Sequence, residues 1–298
     1  MKRFFLVAPA LMIMLVGAAL AADSVDTNTQ VAPAGIELTA PSSPSDLVVA
    51  PAATGGGDSA DKWRFALTPI AFWSFNIKGP VTLRGHTRFV NASPGDVQEN
   101  ITTGGGLAFS FGKGAWTFPF AVQAIKWEVN HVNGPAGIDP TDYDLDLTYS
   151  QWQAGIAYAL PIARGPKAPT VQLVGFVRSS RLKLRVQSSN GNSFDRDKQY
   201  TWTDPFVGVN VVQPIKGKFF FNMNADIGGF GISNSTSQLS WDFMTGCGYH
   251  WAWDRWGMTL SGGYKAMAWD IQGEQSDPQD FNADLRFQGP VIALTFTF

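Results

Sequence analysis

The stretch Asp142-Tyr143-Asp144-Leu145-Asp146-Leu147-Thr148-Tyr149 decides the fold. Apolar side chains hold its odd positions and Asp or Thr its even ones, and a side-chain period of two belongs to a β-strand. Such a strand has one apolar face and one polar face. The pattern recurs along the chain. Phe219, Phe221, Met223, Ala225 and Ile227 alternate with Asn222, Asn224 and Asp226, while Trp241, Phe243, Cys247 and Tyr249 lie opposite Asp242 and His250. In the last such segment Phe281, Ala283, Leu285 and Phe287 oppose Asn282, Asp284 and Arg286. Alternation begins at Trp63 and continues to Phe298.

Composition narrows what these strands can build. Of 298 residues, 45% are hydrophobic and only 15% charged, with 31 Gly, 22 Phe, 11 Trp and 6 Tyr, whereas soluble domains average about 25% charge. Disorder is excluded, and the charge is low for an ordinary cytosolic enzyme. A polytopic helical membrane protein is excluded too, because the one apolar run approaching the roughly 20 residues of a helical span lies at the N-terminus.

That run reads as an export signal over residues 1–21. Lys2 and Arg3 form its positive region, Phe4 to Val16 is uncharged and apolar, and Ala19-Leu20-Ala21 supplies small residues for cleavage after Ala21. Residues 22–61, rich in Ala, Pro, Ser, Thr, Gly and Asp, lack apolar periodicity and read as a flexible periplasmic leader. The third unit is 62–298. Loss of Lys2 and Arg3 takes the net charge to about −4, which excludes nucleic acid as a partner. The lone Cys247 permits no intramolecular disulfide and no thiolate metal cluster, and reads as a small apolar strand residue.

The connections show an asymmetry that a soluble sandwich does not need. Short ones at 112–114, 161–169, 214–218 and 254–257 alternate with polar ones at 133–140, 188–198, 233–238 and 273–280, as the periplasmic turns and extracellular loops of an outer-membrane barrel do. Ten strands are expected, over 63–77, 103–111, 116–132, 141–160, 170–187, 199–213, 219–232, 239–253, 258–271 and 281–298. The fold class is therefore all-β, a single transmembrane antiparallel up-and-down β-barrel of about ten strands, with eight or twelve as alternatives. Residues 79–100 are read as a long first loop; Val81, Leu83 and Phe89 would support an added hairpin instead. Trp63, Phe65, Trp116, Trp251, Trp253, Trp256 and Phe298 are expected in the periplasmic aromatic belt, and Trp73, Tyr143, Trp202, Trp241, Trp269 and Phe281 in the outer one.

The chain ends Gly289-Pro290-Val291-Ile292-Ala293-Leu294-Thr295-Phe296-Thr297-Phe298. This ending resembles the C-terminal Phe signature of outer-membrane proteins. The resemblance implies that Phe296 and Phe298 form an assembly signal read by the barrel-assembly machinery. Trp63-Arg64-Phe65 with Leu67-Thr68-Pro69, Trp202-Thr203-Asp204-Pro205-Phe206-Val207-Gly208, Asp226-Ile227-Gly228-Gly229-Phe230-Gly231 and Gly263-Tyr264-Lys265 add a resemblance to an uncharacterised family of Gram-negative outer-membrane β-barrel proteins. It spans Trp63 to Phe298 and implies a barrel and an outer-membrane location, but no activity.

One constellation carries charge. If the strands around 150 and 180 form a hairpin turning near Arg164 and Gly165, paired residue numbers sum to about 329. Asp144 then faces Arg185, and Asp146 faces Lys183, as a charge ladder directed into the lumen. Near Ser150 and Gln151 on one strand, and Arg178 to Arg181 on the other, the apolar phase changes from odd to even, which a paired bulge would explain. Lys126, Glu128, Asp226, Asp242, Lys265, Asp284 and Arg286 are also expected to face inward.

Catalysis would need a base beside a nucleophile or an activated water. His86, His131 and His250 are the three histidines, and none sits in a His-x-Ser arrangement; His131, near Asp139 and Asp142, is the best placed. No catalytic residue, cofactor or metal is expected. The function expected is a narrow, non-enzymatic pore for small solutes or ions. The alternatives are a structural or surface-interaction barrel with a packed, charge-paired lumen and, behind it, an outer-membrane hydrolase. Its surroundings would be outer-membrane lipid and lipopolysaccharide. The sequence is silent on oligomeric state.

Overall fold

The computed structural model describes residues 62–83, 86–133, 142–162, 168–188, 196–232, 237–272 and 281–298. The expected signal and leader lie outside them. Twelve strands form one antiparallel sheet: β1 (Arg64–Trp73), β2 (Asn76–Leu83), β3 (His86–Ala92), β4 (Ile101–Lys113), β5 (Trp116–Asn133), β6 (Asp142–Ala159), β7 (Thr170–Ser188), β8 (Arg196–Lys216), β9 (Phe219–Gly229), β10 (Leu239–Ala252), β11 (Gly257–Gln272) and β12 (Phe281–Thr297). The one described helix, α1, is six residues long (Pro94–Glu99), capped by Ser93. Neighbours in sequence are neighbours in the sheet from β4 to β12, and β1 pairs with both β4 and β12. The result is a closed ring of ten strands plus two extra ones, and closure leaves the wall without a free edge where the ring is complete.

The extra pair corrects the expectation for 79–100. Instead of a loop, residues 76–83 and 86–92 pair as β2 and β3, which continue the line of β1 along the outer part of β12 and do not enlarge the ring. A single strand over 63–77 becomes two because the chain breaks at Ser74 and Phe75, where the Ser74 amide donates to the Pro290 carbonyl at 3.1 Å. Two glycines permit this close approach. A Cβ on Gly289 would lie 1.8 Å from the Ser74 carbonyl oxygen, and one on Gly79 would lie 1.8 Å from that of Asp284.

Both ends of the ring, Arg64 and Thr297, lie at the end of the tight β4–β5 and β8–β9 turns. Above that end, an apolar band encircles the outside. Leu107 and Phe109 on β4, Phe120 and Val122 on β5, Trp152 and Ile156 on β6, and Leu173 and Val177 on β7 are all exposed. So are Val207 on β8, Ile227 on β9, Phe243 on β10, Leu260 and Tyr264 on β11, and Ile292 on β12. Their strand neighbours Ala121, Gln153, Ala157, Val174, Phe206 and Asn224 are buried. An exposed apolar belt around a closed ring with a polar interior matches a lipid-facing wall. Trp63, Phe65, Trp116, Trp253, Trp256 and Phe298 lie exposed at its turn end, where an aromatic girdle belongs.

Candidate functional site

Inside the belt, the lumen-facing positions carry charge. Arg178 on β7 stands 3.9 Å from Asp226 on β9 and 3.7 Å from Asp242 on β10, and Lys265 on β11 stands 2.8 Å from the same Asp242 oxygen. Asp242 therefore joins two cations. The Arg178 Nε donates to Gln153 Oε1 on β6 at 3.2 Å, and its guanidinium lies 4.2 Å from the ring centroid of Phe206 on β8. Phe206 in turn stacks on Phe176 at 4.9 Å. These contacts cross the barrel from β6 to β11. Asp242 and Lys265 are 1% and 2% exposed, and Asn210, Asn222 and Asn224, nearer the turn end, are 0% exposed. A water-filled channel would leave such side chains wet, and these are not.

Asp204 belongs to this interior. Its carboxylate accepts from the Ser237 amide at 2.7 Å and from the Ser237 hydroxyl at 2.8 Å, so β8 holds the end of the β9–β10 connection against the lumen. The sequence around Asp204-Pro205 suggests only relief of strand curvature; the clamp was missed because Ser237 is 33 residues away. Gly228 also has a packing reason, since a Cβ there would lie 2.5 Å from the Phe206 ring.

Above the charged layer the interior becomes aromatic. Trp269 on β11 lies 5.3 Å from Tyr149 on β6, 6.1 Å from Trp202 on β8 and 4.6 Å from Phe287 on β12, measured between ring centroids. Trp73 and Phe75 continue the cluster at 6.5 and 5.8 Å from Phe287. Three residues expected in the outer belt, Trp73, Trp202 and Trp269, are thus inside the barrel. Trp241 alternates with buried Ser240 and Asp242 and does face outward; the side chains of Tyr143 and Phe281 lie outside the described residues. The outward Trp152 was missed.

The expected charge ladder needs correction in both register and face. The hairpin pairs at residue numbers summing to 331: Asp146 faces Arg185, Asp144 faces Gln187, and Lys183 faces Thr148. The ladder is continuous from Tyr143↔Ser188 to Ala159↔Gln172, with no bulge at Ser150 or Arg178. Pleating is therefore unbroken, and Leu147 and Tyr149 are buried on the same inward face as Gln151 and Gln153. Asp146, Lys183 and Arg185 point outward; the Asp144 side chain lies outside the described residues. What changes near Ser150 is the medium outside the wall, from water to lipid. The same correction applies to Lys126, Glu128, Asp284 and Arg286, which alternate with inward Ile125, Ala283 and Phe287. On the outer wall Lys126 pairs with Glu128 and lies 3.9 Å from Asp146.

The remaining expected residues lie near the turn end or outside the description. Phe298 exchanges two backbone hydrogen bonds with Phe65, at 2.9 and 3.1 Å, and Phe296 lies 6.3 Å from Trp256. His250 Nδ1 is 2.9 Å from Thr259 Oγ1 inside the barrel. The side chains of His86, His131 and Asp142, and residue Asp139 as a whole, lie outside the described residues.

No protein-family model matches the chain, and no curated protein matches it. Similarity to solved structures is low. The chain is similar to Ail, the attachment invasion locus protein of Yersinia pestis, at 9% identity over 79% of this chain and 97% of that one, with a TM-score of 0.31. It is similar to the outer membrane protease OmpT of Escherichia coli at 9% identity over 83% and 100%, with a TM-score of 0.36. For the translocator domain of the autotransporter NalP of Neisseria meningitidis the figures are 11%, 78%, 87% and 0.34. All are Gram-negative outer-membrane β-barrels. Likeness at this level says nothing of activity.

Proposed function

We propose that this chain is a Gram-negative outer-membrane barrel with a sealed lumen, acting as a structural or surface-interaction protein without catalytic activity. The reading reverses the order in which sequence alone ranks the possibilities, where a narrow pore comes first. The observation that carries it is the burial of the lumen charges: Asp242 is shared by Arg178 and Lys265, and neither Asp242 nor Lys265 is more than 2% exposed. Ten strands enclose little more than eight, whose interior side chains fill. The aromatic layer around Trp269 adds a second seal on the outer side. Export through a cleaved signal, and assembly through Phe296 and Phe298, belong to the same proposal.

The test is electrical. Full-length folded protein in a planar bilayer should give no current above background at either polarity. Discrete, reproducible conductance steps would overturn the sealed-lumen reading and restore the narrow pore.

A further inference from the structure

The ring is closed over part of its height. β1 pairs with β4 from Arg64↔Gly112 to Thr68↔Ala108, and there the ladder stops. Pro69 follows, with no amide to donate, and β1 shifts its register against β12 between Leu67 and Ile70. From that point β1, β2 and β3 follow β12, while residues 101–107 of β4 stay with β5. Among the described residues no ladder joins β3 to β4. The wall therefore has a seam, which starts within the apolar belt beside exposed Leu107 and runs outward. The chain crosses it through α1, which leans on β2 and β3 and is tied at Gln98, whose Nε2 donates to Ser74 Oγ at 3.0 Å.

On its inner side the seam meets the aromatic layer. Trp73, the last residue of β1, is buried there, 4.5 Å from Phe75 and 6.5 Å from Phe287 between ring centroids. On the other side of the seam the inward positions of β4 are Gly104 and Gly106, which are part-exposed, whereas the next inward residues, Ala108 and Ser110, are buried. A Cβ on Gly104 would find its three nearest atoms on β5, and one on Gly105 would find nothing within 4 Å. Two buried polar atoms beside this gap have no partner: Trp73 Nε1, and Oε1 of Gln123, the β5 partner of Gly106. Buried indole N–H groups and amide oxygens are normally bonded. An apolar surround with one spare donor and one spare acceptor fits a hydroxyl group carried on an apolar ring. We propose that the seam is a side entrance from the outer leaflet into the aromatic layer, admitting a small hydroxylated aromatic molecule whose hydroxyl accepts from Trp73 and donates to Gln123. The Lys265 ammonium, 5.3 Å from the Trp73 ring centroid, bounds the site from below. Binding there needs no path through the charged layer, so the inference stands apart from the sealed-lumen reading.

The probe is radiolabelled 2-naphthol, with naphthalene as the same rings without the hydroxyl. Each is mixed with the full-length folded barrel in phosphatidylcholine vesicles, and retention by vesicles without protein is subtracted. 2-Naphthol should bind saturably, and naphthalene about tenfold more weakly for want of two hydrogen bonds. W73F keeps a ring and removes the N–H, so it should bind 2-naphthol about fivefold more weakly and naphthalene as wild type does. The route is tested with Cys247, which is free and exposed, changed to Ala. In that background a cleavable bis-maleimide joining S74C to Q98C ties α1 in place; it should slow uptake of 2-naphthol, and cleaving it should restore the rate. A heat-dependent gel shift establishes that each variant is folded. Absence of saturable 2-naphthol binding, unchanged binding by W73F, or an equal loss of both compounds in folded W73F overturns the site. Uptake indifferent to the crosslink overturns the side entrance and leaves the outer mouth of the barrel as the route.

Discussion

Two halves of one strand make opposite use of the same alternation. On β6 within the belt, Trp152 and Ile156 face out while Gln153 and Ala157 face in. A few residues further from the turn end, Asp146 and Thr148 face out while Leu147 and Tyr149 are buried inside. The backbone ladder does not change between them. The difference lies in the solvent: lipid demands an apolar outer face and lets polar groups gather inside, whereas water beyond the membrane reverses both preferences. The outer half is consequently built like a soluble protein, with an aromatic core between charged walls, set on a membrane barrel with a charged core.

The largest effect that tests this contrast comes from the buried charges. Asp242→Ala leaves Lys265 and Arg178 in a closed interior without the acid they share, and breaking a buried pair costs about 3–5 kcal/mol. Urea unfolding from lipid vesicles should show that loss. Lys183→Ala, on the outer wall, should stay within about 0.5 kcal/mol of wild type. Changing Asp242→Leu and Lys265→Met together should recover much of the stability, since removing both partners costs less than removing one. If Lys183→Ala proves as costly as Asp242→Ala, the two faces have been exchanged.

A somewhat smaller effect locates the boundary itself. Ala154→Arg places a cation on the lipid face between Trp152 and Ile156 of the belt, where a buried cation costs up to about 2–4 kcal/mol. Thr148→Arg lies on the same face of the same strand but outside the belt, and should cost close to nothing. Equal penalties in vesicle unfolding would mean that the hydrocarbon reaches Thr148 and that no inversion occurs between these positions.

Most of the fold could be read from the sequence because strand limits are written in local chemistry. The expected strands at 116–132, 170–187 and 258–271 differ from β5, β7 and β11 by one residue at most at each end. The β2–β3 hairpin was harder, since its edge is supplied by β12, almost 200 residues later, through a contact that needs Gly79 and Gly289. The direction of the charges was harder still. Alternation identifies two faces but does not say which is inside, and the choice rests on the medium. Alternation points Asp226 and Asp242 inward, as the structure does, because their strands carry these residues within the belt. For Asp146 and Arg286 the same rule fails, because they stand past the end of the belt. A change of phase such as that at Ser150 is the available signal, and without a bulge it marks the membrane surface.

Aromatic packing in the outer half provides a third measurement. Trp269→Leu keeps an apolar side chain but loses the ring contacts to Tyr149, Trp202 and Phe287, each pair worth about 0.5–1.5 kcal/mol beyond area. The lipid-facing Trp152→Leu loses no such core, so its unfolding midpoint should move less. A larger shift for Trp152→Leu would argue that the outer-half rings do not form a packed layer.

The smallest expected effect separates the two charged clusters most cleanly. Lys126, with Glu128 and Asp146, sits on the outer wall with about a third of each side chain exposed. Water screens that pairing, so Lys126→Gln should cost no more than about 1 kcal/mol at low salt. The screening length falls from about 10 Å at 0.1 M to about 3 Å at 1 M salt, so the difference from wild type should shrink as salt is added. If the lumen is sealed as proposed, ions do not enter it, and the penalty of Asp242→Ala should persist across the same range. Measuring both variants at low and high salt compares the clusters by the medium around them, independently of their side-chain geometry. A penalty for Asp242→Ala that fades with salt would mean that electrolyte reaches the lumen, while a Lys126→Gln penalty that does not fade would mean that this cluster is shielded from water.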